Sequence, residues 1–443
     1  MPLLLCCALA LFLPLQETVP VESVWEDLTL DNGIRVALID APEASSQVVF
    51  SILPWGLLDD EKGQTQRSHF AEHILVHSAD PTASLPEVDG VLRNGETMSL
   101  GMRLETFSEL ESWREGLARH ARWLSVSQDV SPAHSQALSG LLPRERLALG
   151  AEVAATTESG MTHKWAVSAW NQVVRHGAEQ VSVGGDTAEV AFDELMATLS
   201  SRVHAGRGVQ LVSVGPIDRD EQKQAIEELF GSLPARDWKP EPPSLSPAQI
   251  RTTGPRSATW ELERVQYMVW YPMPDESAVD RVAADALSAV VNTRLQKRGS
   301  LEVMNVQAFC SADLITEEGR WLLISASLPA DQAVDEVTAV IDEVVGDLAV
   351  MAEAPYVIEE MVRQLSAWPD FPALRKRAAG HPGLRWIEAS QALFMIYAQL
   401  NMGLHRSELL RAYERLDRGV LEDLAARWVT PEHRSTLVLA PGA

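Results

Sequence analysis

Cysteine is almost missing from this 443-residue chain: Cys6 and Cys7 lie in an apolar N-terminal run, and only Cys310 lies beyond it. One thiol cannot close an internal disulfide, so the fold has to be held by its core. Cys310 itself reads as a small buried apolar residue. Basic residues are also scarce, 37 against 62 acidic ones, for a net charge of −25. Phosphate-backbone binding needs clustered Lys and Arg, so no nucleic-acid partner is expected. Long apolar runs are lacking too. The nearest to one, Leu3 to Leu15, is too short to span a bilayer comfortably. Its position fits the h-region of a secretory signal peptide over residues 1–23. That predicts a periplasmic or secreted protein with no stable membrane span.

The length is too great for one ordinary core and suits two domains of roughly 200 residues. The most informative stretch is Arg67-Ser68-His69-Phe70-Ala71-Glu72-His73-Ile74-Leu75. Neither Pro nor Gly interrupts it, so it reads as helix, with Phe70, Ile74 and Leu75 available to a core. Positions i, i+3 and i+4 share a helix face, so His69, Glu72 and His73 point into one small volume. Two imidazoles one turn apart can grip a zinc ion, and the carboxylate beside them can reach a third species on it. The pattern is H-x-x-E-H, the inverzincin metallopeptidase arrangement.

Two histidines leave a catalytic zinc short of its usual third protein ligand. A second stretch, Arg144-Glu145-Arg146-Leu147-Ala148-Leu149-Gly150-Ala151-Glu152, offers carboxylates. Glu145 and Glu152 are seven residues apart, two helical turns, and share a face. His77, one turn after His73, fits solvent or supporting duty better than ligation.

His69-x-x-Glu72-His73 followed by Glu145-Arg146-x5-Glu152 resembles the pitrilysin/insulinase/mitochondrial-processing-peptidase family. The resemblance implies an α+β fold of two homologous domains. Each would be an antiparallel-rich sheet packed with helices, and the pair would form a clamshell around a peptide chamber. It implies Zn2+ held by His69, His73 and Glu152, with Glu145 as the supporting carboxylate. Glu72 would be the general base for zinc-bound water in the hydrolysis of short or unfolded peptides. Asn94-Gly95-Glu96-Thr97 stands where the family carries Asn-Ala-x-Thr on an edge strand that pairs with substrate, which makes Asn94 a substrate-binding candidate.

Around these motifs, Val24 to Asp40 reads as a hairpin turning at Asp31-Asn32-Gly33, and Gln47 to Leu53 as a strand. Helices follow at Glu109 to Leu124, Ser131 to Ser159, Thr162 to Arg175 and Val190 to His204. Val209 to Val214 is a buried strand and Asp218 to Phe230 a helix. The Pro-rich segment 235–255 lacks apolar periodicity and is the best boundary between residues 24–234 and 256–443. The second half repeats the order in degenerate form. Its strands are read at Ala258 to Tyr271, Val303 to Ser311, Trp321 to Ser327 and Ser435 to Leu439. Its helices are read at Ser277 to Gln296, Ala330 to Met351, Tyr356 to Ser366, Glu388 to Leu400 and Arg418 to Trp428. No second H-x-x-E-H occurs, so only the first half is built for metal.

One departure from the family stands out. Its active members carry an Arg and a Tyr in the second half that reach the substrate. Here Arg298 can take the Arg position, but Val303 or Met304 stands where Tyr is expected. Losing one such donor costs roughly 10²–10³ in rate. The leading expectation is a zinc endopeptidase. The alternatives are the zinc-bearing subunit of a heterodimer whose relative supplies the Arg/Tyr pair, and a non-catalytic scaffold. A homodimer is also compatible.

Overall fold

The computed structural model describes residues 25–41, 44, 46–81, 87–99, 101–128, 131–158, 163–183, 190–205, 208–235, 255–316, 319–366 and 406–442. The expected signal peptide, nearly all of the segment 235–255 and the helix expected at Glu388 to Leu400 lie outside them.

The first half opens with the predicted hairpin, β1 (Trp25–Thr29) and β2 (Arg35–Asp40), joined through Gly33 at φ +89°. That left-handed backbone is open to glycine at no steric cost. Then come β3 (Gln47–Leu53), α1 (Arg67–Ser78), β4 (Glu87–Val88), β5 (Val91–Thr97) and β6 (Met102–Ser108). Next are α2 (Trp113–Leu124), α3 (Pro132–Glu158), α4 (His163–Trp170), which runs on into a π-turn at Asn171–Arg175, and β7 (Gln180–Val181). The half closes with α5 (Phe192–Arg202), β8 (Gln210–Gly215) and α6 (Arg219–Phe230). Asp218 caps α6 by accepting the amide hydrogens of Asp220 and Glu221.

The second half holds β9 (Arg256–Trp260), β10 (Val265–Met273), α7 (Ala278–Gln296), α8 (Gly299–Val303), β11 (Gln307–Thr316) and β12 (Gly319–Leu328). It ends with α9 (Val334–Gly346), α10 (Ala354–Ser366), α11 (Arg406–Tyr413), α12 (Arg418–Trp428) and β13 (Ser435–Pro441).

The seven-stranded sheet runs β1-β2-β8-β3-β6-β5-β4 and the six-stranded sheet β11-β12-β10-β13-β9-β7. The expected duplication is explicit in these orders. β2-β8-β3-β6-β5 and β9-β13-β10-β12-β11 follow the same sequence of connections, each with one parallel pair, β2 with β8 and β9 with β13. The fold is therefore α+β with two repeated units, as the sequence implied. Every residue of β3 is buried. Val49 and Leu53 join one apolar cluster with the first-half helices, while Val48, Phe50 and Ile52 join a second that runs into the second half. Burial on both faces explains why β3 reads as an almost unbroken apolar run. The halves are also stitched together: β7 pairs with β9, and Trp170 meets Trp270 edge to face at 5.9 Å.

Two expectations need correction. Ala258 to Tyr271 is not one strand but the end of β9 and most of β10. Trp260 Nε1 donates to the Arg264 carbonyl at 2.8 Å, closing the turn between them. Val303 does not start a strand. It ends α8 and is 88% exposed, so its β-branched preference is overridden by the turn that delivers the chain to β11.

Candidate metal centre

α1 begins where two side chains fix its first turn. Asp60 Oδ1 accepts the Ser68 amide hydrogen at 2.8 Å. Gln66 sits in the left-handed region at φ +65° and places its amide oxygen 3.0 Å from His69 Nδ1. Both sides of this helix are covered: Phe70, Ala71, Ile74 and Leu75 are fully buried, and His69 and Glu72 are 1% and 5% exposed. His69 also stacks on Trp165 at 5.4 Å between ring centres. With Nδ1 directed at the Gln66 oxygen, its Nε2 is left for another partner.

That partner comes from α3. The helix carries Pro143 in its interior and then presents Glu145 and Glu152 to α1. Arg146 anchors it by donating to the Val190 carbonyl at 2.6 Å and by lying 5.9 Å from the centre of the Phe70 ring. Glu152 Oε2 then stands 3.5 Å from His69 Nε2 and 3.4 Å from His73 Nε2. Donors about 2.0–2.1 Å from a tetrahedral zinc stand about 3.3–3.5 Å from one another, and both distances from Glu152 to the imidazoles fall in that range.

His69, Glu72 and His73 also offer donor atoms within 4.8 Å of one another. Glu72 is nevertheless the weaker candidate for ligation. Its Oε2 lies 3.8 Å from His69 Nε2 and accepts a hydrogen bond from Thr97 Oγ1 at 3.4 Å. A carboxylate held beside the donor triad, but not within it, is placed to accept a proton.

Glu145 lies behind the triad. Its Oε2 is 3.4 Å from His73 Nδ1, its Oε1 is 3.7 Å from His77 Nε2, and Arg144 Nε donates to Oε1 at 2.7 Å. A carboxylate on the far nitrogen of a ligating histidine fixes its tautomer and orientation. Burial disfavours charge on His73, yet hydrogen bonds to Glu145 and Glu152 outweigh it and push the imidazole up to about 10. The cluster thus favours a positive charge at the point where a cation would sit. His77 goes the other way: burial brings it down to about 4, with Glu145 offsetting only part. For Glu145, burial raises the carboxyl, but His73, His77 and Arg144 more than compensate and hold it below the usual range.

The triad opens into a cavity of about 230 Å³ between α1, α3 and β5, whose wall includes Arg93, Asn94 and Gly95. Within the described residues β4 covers only Val91 and Leu92, so Arg93–Thr97 has no strand on its outer side. Asn94 reaches this cavity, but its amide donates to Glu105 Oε1 across the ladder at 2.5 Å. Arg298 is not brought to the site. It lies in another cavity, at the end of α7, bonded to Glu343 at 2.6 Å and Asp347 at 3.1 Å.

The sequence reading missed Gln66, Gly95 and Trp165. Gln66 had a readable signal, since it precedes His69 by three residues, the helical reach. Trp165 had none, because its position depends on how α4 packs.

Residues 191–353 match the model of the peptidase M16 inactive domain, a match that spans less than half of the chain. No curated protein sequence matches. Among solved structures, a protease from Helicobacter pylori superposes with a TM-score of 0.67 at 15% identity, covering 94% of this chain and 99% of that one. A chain of complex III2 from Candida albicans gives 0.62 at 13%, covering 94% and 95%. The periplasmic protease PqqL from Escherichia coli gives 0.58 at 14%, covering 97% of this chain and 47% of that one. At these identities the likeness establishes the fold, which is that of M16-like peptidases.

Proposed function

We propose that the protein is a zinc-dependent endopeptidase acting on short or unfolded peptides, with His69, His73 and Glu152 as the metal ligands. The observation that carries this reading is the single Glu152 oxygen that lies within 3.5 Å of both Nε2 atoms. The donor set suits zinc: two neutral imidazoles and one carboxylate leave a position open. When bound, the metal supplies Lewis-acid activation of water and of the scissile carbonyl.

The chain's own residues account for the rest. Glu72 accepts the proton of the attacking water and passes it to the leaving amine. Glu145 holds His73 through Nδ1, and Gln66 holds His69 through Nδ1, so that both Nε2 atoms converge. The outer side of Arg93–Thr97 offers backbone groups along which an extended peptide can add as a strand. We take residues 24–234 as the metal-bearing domain, 235–255 as the linker and 256–443 as its inactive homologue, with the peptide held between the halves. An N-terminal leader would place the protein in the periplasm or outside the cell. No described helix is long and apolar enough to cross a membrane.

One observation favours a second reading, the metal-bearing subunit of a heterodimer. Arg298 is engaged by two carboxylates in its own half, and Val303 offers no phenol, so a partner would have to supply the Arg/Tyr pair. Incubating the purified chain with a quenched peptide, with and without chelator, tests the first reading. Chelator-sensitive cleavage supports it. A chain that binds one equivalent of zinc yet cleaves nothing supports the heterodimer. A chain that binds no zinc leaves only a scaffold.

A further inference from the structure

The segment 57–63, which leads into α1, is gripped by the π-turn that ends α4. Asn171 Nδ2 donates to the Leu57 and Asp60 carbonyls at 3.2 and 2.9 Å, and Arg175 Nη1 to the Leu58 carbonyl at 2.6 Å. His176 Nε2 donates to the Asp60 carbonyl at 3.1 Å. Gln172 works in both directions: its Nε2 donates to the Glu61 carbonyl at 3.1 Å, and its Oε1 accepts the Gly63 amide hydrogen at 3.0 Å. Asn171 and Gln172 are buried, so these bonds meet little competition from water.

This grip reaches α1 at two points. Asp60, whose carbonyl takes two of the bonds, accepts the Ser68 amide hydrogen with its side chain, one residue before His69. Trp165, on the helix that becomes the π-turn, stacks on the His69 ring. The π-turn is itself closed from the other half of the molecule. Arg256, the first residue of β9, donates from Nη1 to the Val173 and Val174 carbonyls at 3.2 and 3.0 Å. A cation at the C-terminal end of a helix also complements the helix dipole. The strand after the turn, β7, pairs with the same β9.

We infer that the second half takes part in building the metal centre, with Arg256 and Asn171 as positioning residues for His69. Arg256 fixes the π-turn, the π-turn fixes segment 57–63, and that segment fixes the start of α1. The consequence for zinc rests on the peptidase reading; the geometry does not. The half that carries no metal motif thus acts on the ligands of the half that does.

Zinc affinity of the full chain, read by competition with a chromophoric chelator, tests this. Asn171→Ala should weaken zinc binding about 10–100-fold, the usual loss when groups that orient a ligand are removed. Arg256→Ala, one step further out, should weaken it about 10-fold. The double variant should bind no more weakly than Asn171→Ala alone, because both residues act by one route. Unchanged affinity in Arg256→Ala, or losses that add in the double variant, would overturn the inference. Hydrogen exchange in the metal-free protein gives a reading independent of zinc. Arg256→Ala should speed exchange several-fold at the Gly63 and Ser68 amides and leave those of β3 and β6 as they were. Unaltered exchange at Gly63 and Ser68, or acceleration throughout the first half, would also overturn it. If the unaltered chain binds no zinc, the peptidase reading fails by itself, while the exchange comparison still decides whether Arg256 sets the start of α1.

Discussion

The two halves place a helix over an edge strand in the same way, and they finish that arrangement differently. In the first half α1 lies over β5, and the contact is a carboxylate, Glu72, against a glycine and a threonine. In the second half α7 lies over β11, and the contact is Asn292. Its Nδ2 donates to the Cys310 carbonyl at 2.6 Å, and its Oδ1 accepts the Cys310 amide hydrogen at 2.7 Å. One amide side chain thereby occupies the two backbone groups that a docking peptide would use. α7 otherwise buries Val282, Ala283, Ala286, Leu287, Val290 and Val291. α1 buries His69 and Glu72 in its corresponding place. A duplicated unit needs only one working edge, and an unused edge is a template for unwanted pairing. The second half engages its edge at Cys310 and devotes its helix to the core; the first keeps polar groups and, among the described residues, leaves Arg93–Thr97 uncovered.

Four substitutions or conditions can break or sharpen this contrast. The largest effect is expected from Glu152→Ala, which removes the proposed ligand that α3 brings to α1. Metal analysis after dialysis should fall from about one equivalent to almost none, since two imidazoles are fewer than the three protein ligands of a catalytic zinc. An unaltered content would refute the ligand assignment. Next is Glu72→Gln, which should keep the zinc and lose about 10²–10⁴ in kcat, the contribution of general acid–base transfer. Equal loss of metal in this variant would make Glu72 a ligand and not a base.

Asn292→Ala addresses the other half. It leaves the Cys310 amide and carbonyl without their side-chain partner, at a cost of about 1–3 kcal/mol. Urea titration should show the loss, while zinc content and peptide cleavage stay as they were. Reduced cleavage in this variant would mean that the closed edge also shapes the site.

The last test separates core from site by pH. His120 lies beneath the first sheet, between Ser51 at 2.7 Å and Thr106 at 3.1 Å. Burial brings it down to about 3 from an unperturbed 6.5, with a hydrogen bond to the Val49 backbone opposing. Between these values the unfolded chain binds the extra proton, so stability rises with pH across the window. The contribution is whole above about 6.5 and is lost as pH falls toward 3. His120→Gln should flatten the pH dependence of the urea midpoint in that interval. An unchanged slope would assign the acid sensitivity to other groups.

Much of this arrangement was legible before any coordinates. The spacing of His69, Glu72 and His73 is local, and a helix places them together wherever it lies. The repeated order of strands and helices was readable in part because apolar periodicity reports burial, and five strands of each sheet follow the same order. Glu145 and Glu152 could be put on one face, but no local rule says which helix that face meets. The errors came from the same limit. β9 and β10 were merged because no Gly or Pro separates them, although each pairs with β13 and not with the other. Val303 looked like strand because its residue type prefers one. Arg298 looked available because the carboxylates that engage it, Glu343 and Asp347, lie on a helix and turn far along the chain.

The sequence by itself determined the donor types and their helical spacing, which depend on neighbours within a few turns of chain. Only the tertiary structure decided that one Glu152 oxygen would meet two imidazoles. It also decided that Asn292 would take up the Cys310 amide and carbonyl on β11. Those outcomes turn on distances between elements, which are set by how cores pack and are written in no single stretch of residues.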